Sequence, residues 1–346
     1  MRLRGPASFP VPSRILFVQL RRIGDVLLGT PALRAVAKQF PNATIDFAAE
    51  TPSDEALWGN PHIDRLLLAP REGGMRGWLR FVSQLRERHY DWAIDFFANP
   101  RSAQFTFFSG AKLRVGLDRR GRRWAYTHNI VEEADDRDLY AVDWRLKALG
   151  FMGVPSAGRE LEIYADKVDR VETERVAAVL ESLPKSAPIV AVSTGTLNPV
   201  KIYPPELTAR VIVGLRRAGC SVIVTAGPGE TPGAEEALKL VGEPVPFVRG
   251  ARVPTLAALY RHVQLYVGAD SAPKHIAVAC GVPTVTIFGL GRVVNWNDCS
   301  NPRNVVVQTP GGVPEETSIA EFLRRDYLQK IPPGEIVRAA MELLKG

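Results

Sequence analysis

The chain has 346 residues, of which 46% are hydrophobic and 23% charged, a balance that excludes a fibrous or disordered protein and predicts an ordinary folded one. At roughly 100–200 residues per domain, that length predicts two domains. A formal charge of +7 and a pI near 9.4 direct the search for partners toward anions such as nucleotides, phosphorylated glycans and anionic lipid. Nucleic acid is not expected, because no recognised binding motif and no interleaving of aromatic and basic residues accompanies the charge.

The positive charge is unevenly spread. Between Arg71 and Arg123 stand about twelve Lys or Arg against about five acids, ending in Arg119, Arg120, Arg122 and Arg123, which reads either as a solvated basic face or as a docking surface for phosphate-rich substrate or membrane headgroups. Cys220, Cys280 and Cys299 are too few and too scattered for a disulfide framework or a zinc knuckle, so a reducing cytosol and no bound metal are expected. The N-terminal residues lack the apolar core of a signal peptide, and no run of about 18 apolar residues is present, so any membrane contact is expected to be peripheral.

Ile15–Leu20 is an apolar run that reads as a strand buried on both faces. After a turn, Thr30 as cap, Pro31 in the first helical position and Leu33, Val36, Ala37 and Phe40 at helical spacing predict a helix over Thr30–Gln39. A strand at Thr44–Ala49 completes a βαβ unit, whose crossover requires parallel strands. Further strands are predicted at Arg65–Leu68, Trp92–Phe96, Arg114–Gly116 and Asn129–Val131, with helices at Trp78–Arg88 and Asp138–Leu149. This alternation ends near Ile163; a helix over Ala165–Leu183 and a Pro- and Ser-containing linker at Pro184–Pro188 follow.

The rhythm then restarts with strands at Ile189–Ser193, Ser221–Thr225, Leu265–Gly268 and Thr284–Phe288, separated by helices at Pro205–Ala218, Ala234–Val241, Thr255–His262 and Lys274–Cys280. The reading is an α/β protein of two Rossmann-like domains, 1–183 and 184–333, with parallel sheets facing across a cleft. A terminal helix at 334–346 is expected to reach back toward the first domain.

Three segments carry the chemistry. Arg21-Arg22-Ile23-Gly24-Asp25 follows the first strand, where open α/β sheets place ligands. Asp25 reads either as a first-turn acid stabilised by the helix dipole or as a general base. The stretch fits neither the dinucleotide G-x-G-x-x-G pattern nor a Walker A loop. In the second half, Ser193-Thr194-Gly195-Thr196 ends a strand with small residues that let a phosphate approach closely, and Lys201 follows in a loop, where a cation can offset the charge of a departing diphosphate. Glu230, in the Gly-rich turn after Ser221–Thr225, reads either as an acceptor for ribose hydroxyls or as a cap. The third segment runs from Asp270-Ser271-Ala272 through Lys274-His275 to Gly281-Val282-Pro283 and Phe288-Gly289. Its helix start offers amides for an anion, with His275 close by.

The opening Gly24-Asp25-Val26-Leu27 with Thr30-Pro31-Ala32-Leu33, together with the Asp270–Gly289 segment, resembles the heptosyltransferases of glycosyltransferase family 9 along nearly the whole chain. The resemblance implies a GT-B fold with an acceptor-binding first half and a donor-binding second half, and a metal-independent, inverting transfer from ADP-heptose with no cofactor. By carry-over it implies Asp25 as catalytic base and Lys201 as the lysine that stabilises the diphosphate. It implies Ser193, Thr194, Thr196, Ser271, Ala272 and His275 at the donor phosphates, Glu230 on the adenosine ribose, and Asp270 on the donor sugar or ordering the turn. Arg21, Arg22, Arg101, Arg119, Arg120 and Arg122 suit the phosphates or Kdo carboxylates of a lipid A-linked oligosaccharide acceptor, at the inner face of the inner membrane. Two positions depart from the family: Ala272 stands where Gly is usual, and Lys274 replaces an apolar or small residue, adding a cation near the phosphates. Rival readings are another nucleotide-sugar transferase, a non-hydrolysing sugar-nucleotide epimerase and a catalytically silent sugar-nucleotide-binding protein.

Overall fold

A computed structural model describes residues 1–5, 9–167, 169–184, 186–196 and 198–345. Val168, Lys185 and Leu197, which fall in the helix, linker and loop read from sequence, lie outside the described residues. The chain divides into two compact units, Met1–Glu162 and Ile163–Gly346.

The first unit is a seven-stranded sheet of β1 (Arg2–Arg4), β2 (Arg14–Val18), β3 (Thr44–Ala49), β4 (Arg65–Leu68), β5 (Trp92–Asp95), β6 (Leu113–Leu117) and β7 (His128–Val131). Their order is β1-β7-β6-β5-β2-β3-β4, parallel throughout except for β1, which pairs antiparallel with β7 at the edge. The central strand β2 is buried from Ile15 to Val18 and lies in register with both β3 (Ile15 opposite Ile45) and β5 (Ile15 opposite Trp92). Being covered on both faces, these strands are nearly continuous apolar runs. Leu16, Val18 and Leu20 pack with Phe81, Leu85 and Phe105 from the covering helices Gly74–Glu87 and Pro100–Phe108.

The second unit is a wholly parallel sheet of β8 (Ile189–Ser193), β9 (Ser221–Thr225), β10 (Phe247–Val248), β11 (Leu265–Ala269), β12 (Thr284–Ile287) and β13 (Asn304–Val307), ordered β10-β9-β8-β11-β12-β13. Val190, Val192, Val222, Val224, Val267, Val285 and Ile287 form the strand side of its core.

Both sheets reverse direction of growth at one place, between β2 and β5 in the first and between β8 and β11 in the second. Such switch points open a crevice at the carboxyl ends of the strands. Of the residues singled out from sequence, Arg21, Arg22 and Asp25 follow β2, Arg101 follows β5, Arg119, Arg120 and Arg122 follow β6, and the second-unit residues follow β8, β9 and β11.

Two boundaries differ from the sequence reading. The helix Arg170–Glu181, placed in the first domain, belongs to the second unit: the Thr255 hydroxyl donates to Glu172 at 2.6 Å, and Arg175 donates to the Arg249 carbonyl at 2.5 Å. The terminal helix Pro333–Leu343 also belongs there, with Ile336 and Ala340 in the second core and Val337 against Gly214, where an added Cβ would lie 2.8 Å from the valine methyl. Among the described residues, no helix is long and apolar enough to cross a membrane.

Candidate functional site

In the first unit the chain leaves β2 and enters a short helix, Ile23–Leu27, with Gly24 buried and Asp25 in its first turn. The Arg22 amide donates to Asp25 Oδ2 at 3.4 Å, so the helix-start reading holds for one oxygen. The other oxygen, Oδ1, lies 3.8 Å from Arg145 Nη2, and Asp25 keeps 23% of its side chain exposed while Arg145 keeps 8%. Arg145 is further held by the carbonyls of Ala141 and Asp25, at 2.8 and 3.5 Å. Burial lowers its pKa and Asp25 opposes that shift, so the pair is a buried cation leaning on a partly exposed carboxylate. Arg145 was missed from sequence, although it shares the buried face of its helix with Val142 and Leu149 at helical spacing. A charge on such a stripe needs a partner.

The other first-unit residues lie at the carboxyl ends of neighbouring strands without forming a single cluster. Arg21 and Arg22 are exposed after β2. Arg101, after β5, is committed to Glu50 at 2.8 Å and to the Pro70 carbonyl. After β6, Arg119 pairs with Glu132 at 2.8 Å, whereas the side chains of Arg120 and Arg122 form no ion pair among the described residues. A further carboxylate, Asp95 at the end of β5, was not anticipated. It is fully buried, accepts the amides of Phe97 and Ala98 and the Tyr126 hydroxyl at 2.9, 2.8 and 2.9 Å, and burial pushes its pKa up to about 6. Gly116 makes room for that tyrosine, since a Cβ there would run into its ring. Asp95 fixes a loop and has no open edge.

In the second unit the turns after β8, β9 and β11 converge. Glu230 accepts the Gly227 amide at 2.8 Å, and its carboxyl occupies the space a Cβ on Gly195 would need. Burial raises its pKa. Its own helix start receives no side-chain cap from it, so Glu230 ties two glycine-bearing turns together. Thr194 Oγ1 is buried without a hydrogen-bond partner among the described residues, and such a hydroxyl calls for a ligand or water. Thr196 accepts the Asn198 amide at 3.1 Å, ordering the approach to Lys201. Ser193 lies buried beside the Tyr266 phenol, and Gly268 permits this close approach, because a Cβ there would lie 2.8 Å from the Ser193 carbonyl.

Asp270 is the hub of this site. Lys201 Nζ donates to its Oδ2 at 2.7 Å and to its carbonyl at 2.6 Å, while Lys274 Nζ and His275 Nε2 each lie 3.8 Å from Oδ1. Lys201 stands on a short turn, Pro199–Lys201, whose Val200 carbonyl fills the space a side chain on Gly289 would take. Ser271 leaves the helix start uncapped and donates instead to the Gly195 carbonyl at 3.4 Å. Pro273, in the first turn beside Ala272, removes one amide from that helix start. The helix start therefore offers fewer free amides than the sequence implied.

Lys274 corrects an expectation. Its ammonium does not reach out toward phosphates: it is 2% exposed, donates to the Trp296 carbonyl and faces Asp270. Burial lowers its pKa to about 8, with Asp270 opposing and Lys201 reinforcing the shift. The residue thus fastens the segment Val293–Trp296 to the Asp270 turn. That segment carried no signal in the sequence, because its contribution is a backbone oxygen. Two lysine side chains thus face one carboxylate in a site lined by small residues.

The profile described as glycosyltransferase family 9 (heptosyltransferase) matches residues 78–318, more than half of the chain. The chain belongs to glycosyltransferase family 9. As a member it is a glycosyltransferase, and its similarity to characterised relatives extends well beyond the matched segment. It is 25% identical over 340 residues to lipopolysaccharide heptosyltransferase 3 of Escherichia coli, covering 94% of this chain and 97% of that one. Among solved structures, a family 9 glycosyltransferase from Veillonella parvula superposes with a TM-score of 0.82 at 20% identity, over 96% of this chain and 97% of that chain. ADP-heptose lipopolysaccharide heptosyltransferase II of E. coli superposes with a TM-score of 0.75 at 17% identity, over 96% and 98%. The shared fold is GT-B, in agreement with the two parallel-stranded units.

Proposed function

We propose that this glycosyltransferase moves a heptose from ADP-heptose to a Kdo or heptose of the lipopolysaccharide inner core, by inverting displacement without a metal or other cofactor. The observation that carries the reading is the pair of lysines, Lys201 and Lys274, set against the Asp270 carboxylate at a sheet switch point. A leaving diphosphate gains charge as its bond to the sugar breaks, and fixed cations stabilise that state more than the ground state. The names of the relatives supply the sugar and the nucleotide.

In the step itself, the acceptor O–H bond breaks and its proton passes to the Asp25 carboxylate. The oxygen forms a bond to the anomeric carbon, and the bond from that carbon to the diphosphate oxygen breaks with its electron pair leaving on ADP. Lys201 and the Ser271–His275 helix start receive the departing charge, and Thr194 and Ser193 bond the phosphates. Glu230 is assigned to the ribose hydroxyls, and Arg21 and Arg22 to the acceptor's anionic groups. The site of action is the cytoplasmic face of the inner membrane, on a lipid A-linked acceptor.

A thermal-shift panel of ADP, UDP, GDP and their sugars tests the donor assignment. At ligand concentrations about 100 times Kd, linkage adds about 2.7 kcal/mol, so ADP and ADP-heptose are expected to raise Tm by several degrees while UDP and GDP do not. Selective stabilisation by UDP or GDP would overturn the assignment.

A further inference from the structure

In the first unit an apolar path runs from the core, against which Trp78 and Phe108 pack, out to an exposed face that the core does not cover. On the helix Gly74–Glu87, Phe81, Val82 and Leu85 are buried, whereas Met75 and Leu79, one turn apart, are 71% and 54% exposed. The Trp78 ring on this helix meets Phe108 edge-on at 5.0 Å; Phe108 meets Phe107 at 5.1 Å, and Phe107 meets Trp124 at 5.1 Å. The far end of this continuous aromatic path is open, with Phe107 37% and Trp124 52% exposed. Both exposed rings are held in place. The Trp124 indole donates to the Gly121 carbonyl at 3.0 Å, and the Arg114 guanidinium, itself bound to the carbonyls of Ala125 and Ala111, lies 5.4 Å from the Phe107 centroid.

The charges around the ridge identify its partner. Arg76 and Arg80 follow Met75 and Leu79 by one residue each, and Arg120 and Arg122 precede Trp124 in its loop. None of these four side chains forms an ion pair among the described residues. At the Trp124 end the acids are neutralised, Asp118 by Arg4 and Arg123 and Glu132 by Arg119, while Glu72 and Glu87 stand at the two ends of the helix. Exposed rings and aliphatic side chains edged by unpaired guanidinium groups match the boundary between headgroups and acyl chains of an anionic bilayer, where aromatic side chains partition and each arginine meets lipid phosphate.

We propose that the Trp78–Phe108–Phe107–Trp124 ridge, with Met75 and Leu79, docks this unit onto anionic lipid. The proposal rests on the reading that the acceptor is lipid-linked, and it assigns Arg120 and Arg122 to headgroups instead of to the acceptor sugar. Docking confines the enzyme to the surface on which such an acceptor is held.

Co-sedimentation with vesicles of phosphatidylcholine, with and without 30 mol% phosphatidylglycerol (a chosen test fraction, about a third anionic), tests it. The native chain is expected to bind the anionic vesicles at least about 10-fold better, with binding falling steeply as salt rises. The variants M75S/L79S/W124S and R76E/R80E are each expected to lose about 5-fold or more of that binding while keeping the ADP-induced Tm shift and turnover on a deacylated, water-soluble core acceptor. Equal binding to both vesicle types, or variants that bind like the native chain, would overturn the proposal. So would sedimentation velocity showing that the ridge instead joins two copies, with no vesicle binding. Failure of transfer to the soluble acceptor, with vesicle binding intact, would count against the transfer reading alone.

Discussion

Asp25 and Asp270 each follow a strand at the switch point of a parallel sheet, yet their surroundings differ. Asp25 meets a helix-start amide with one oxygen and a buried guanidinium with the other, and 23% of its side chain stays exposed. Asp270 is 3% exposed and is surrounded by Lys201, Lys274 and His275. The first carboxylate stays partly open to solvent; the second is buried against its cations. A strand-end acid thus gets its role from the number of positive groups packed around it, and Asp95, closed off by two amides and a tyrosine, shows the limit in which it serves structure only.

The largest effect that can break this contrast is in turnover. Asp25→Asn is expected to lower kcat by about 10²–10⁴-fold, the range for loss of a general base, in a transfer assay with ADP-heptose and a core acceptor. Near-normal turnover would remove Asp25 from the chemistry. Next comes stability: Asp270→Ala leaves the Lys274 ammonium buried without its carboxylate, and a cost of about 3–5 kcal/mol is expected in urea denaturation at pH 7. A neutral outcome would mean that Asp270 does not hold the cluster.

A smaller effect follows from Lys274, whose pKa in the folded protein is about 8 against an ordinary 10.5. Between those values the unfolded chain binds more protons than the folded one, so this residue makes stability rise with pH over that window. Lys274→Met is expected to flatten that part of the stability curve measured from pH 7.5 to 10.5, whereas an unchanged slope would place the titration elsewhere. The smallest effect is at the third acid: Tyr126→Phe removes one donor to Asp95 and is expected to cost about 1–2 kcal/mol, with turnover unchanged.

The alternation of strands and helices was legible because buried parallel strands are apolar runs and their crossovers are helical. The strands that escaped are β1, with three residues and two arginines, β10, with two residues, and β13, a four-residue edge strand. The helix Pro100–Phe108 escaped because four of its last five residues are Phe or Thr, which favour strands; Asn99 caps its start by accepting the Ser102 amide at 2.7 Å. Asp25, Lys201 and Asp270 could be read as candidates because turns after buried strands are where ligands lie. Their partners could not, since Arg145 comes from 120 residues away and Asp270 meets Lys201 across 69. The Trp296 carbonyl has no side-chain signature at all.

The contrast between the two carboxylates is tested most directly by calorimetric titration of ADP into Asp25→Asn and Lys201→Ala side by side. The account predicts that Asp25→Asn binds ADP within about twofold of the native protein while Lys201→Ala binds at least about 10-fold more weakly, a difference of about 1.4 kcal/mol. Equal weakening in both variants, or undiminished binding by Lys201→Ala, would contradict it.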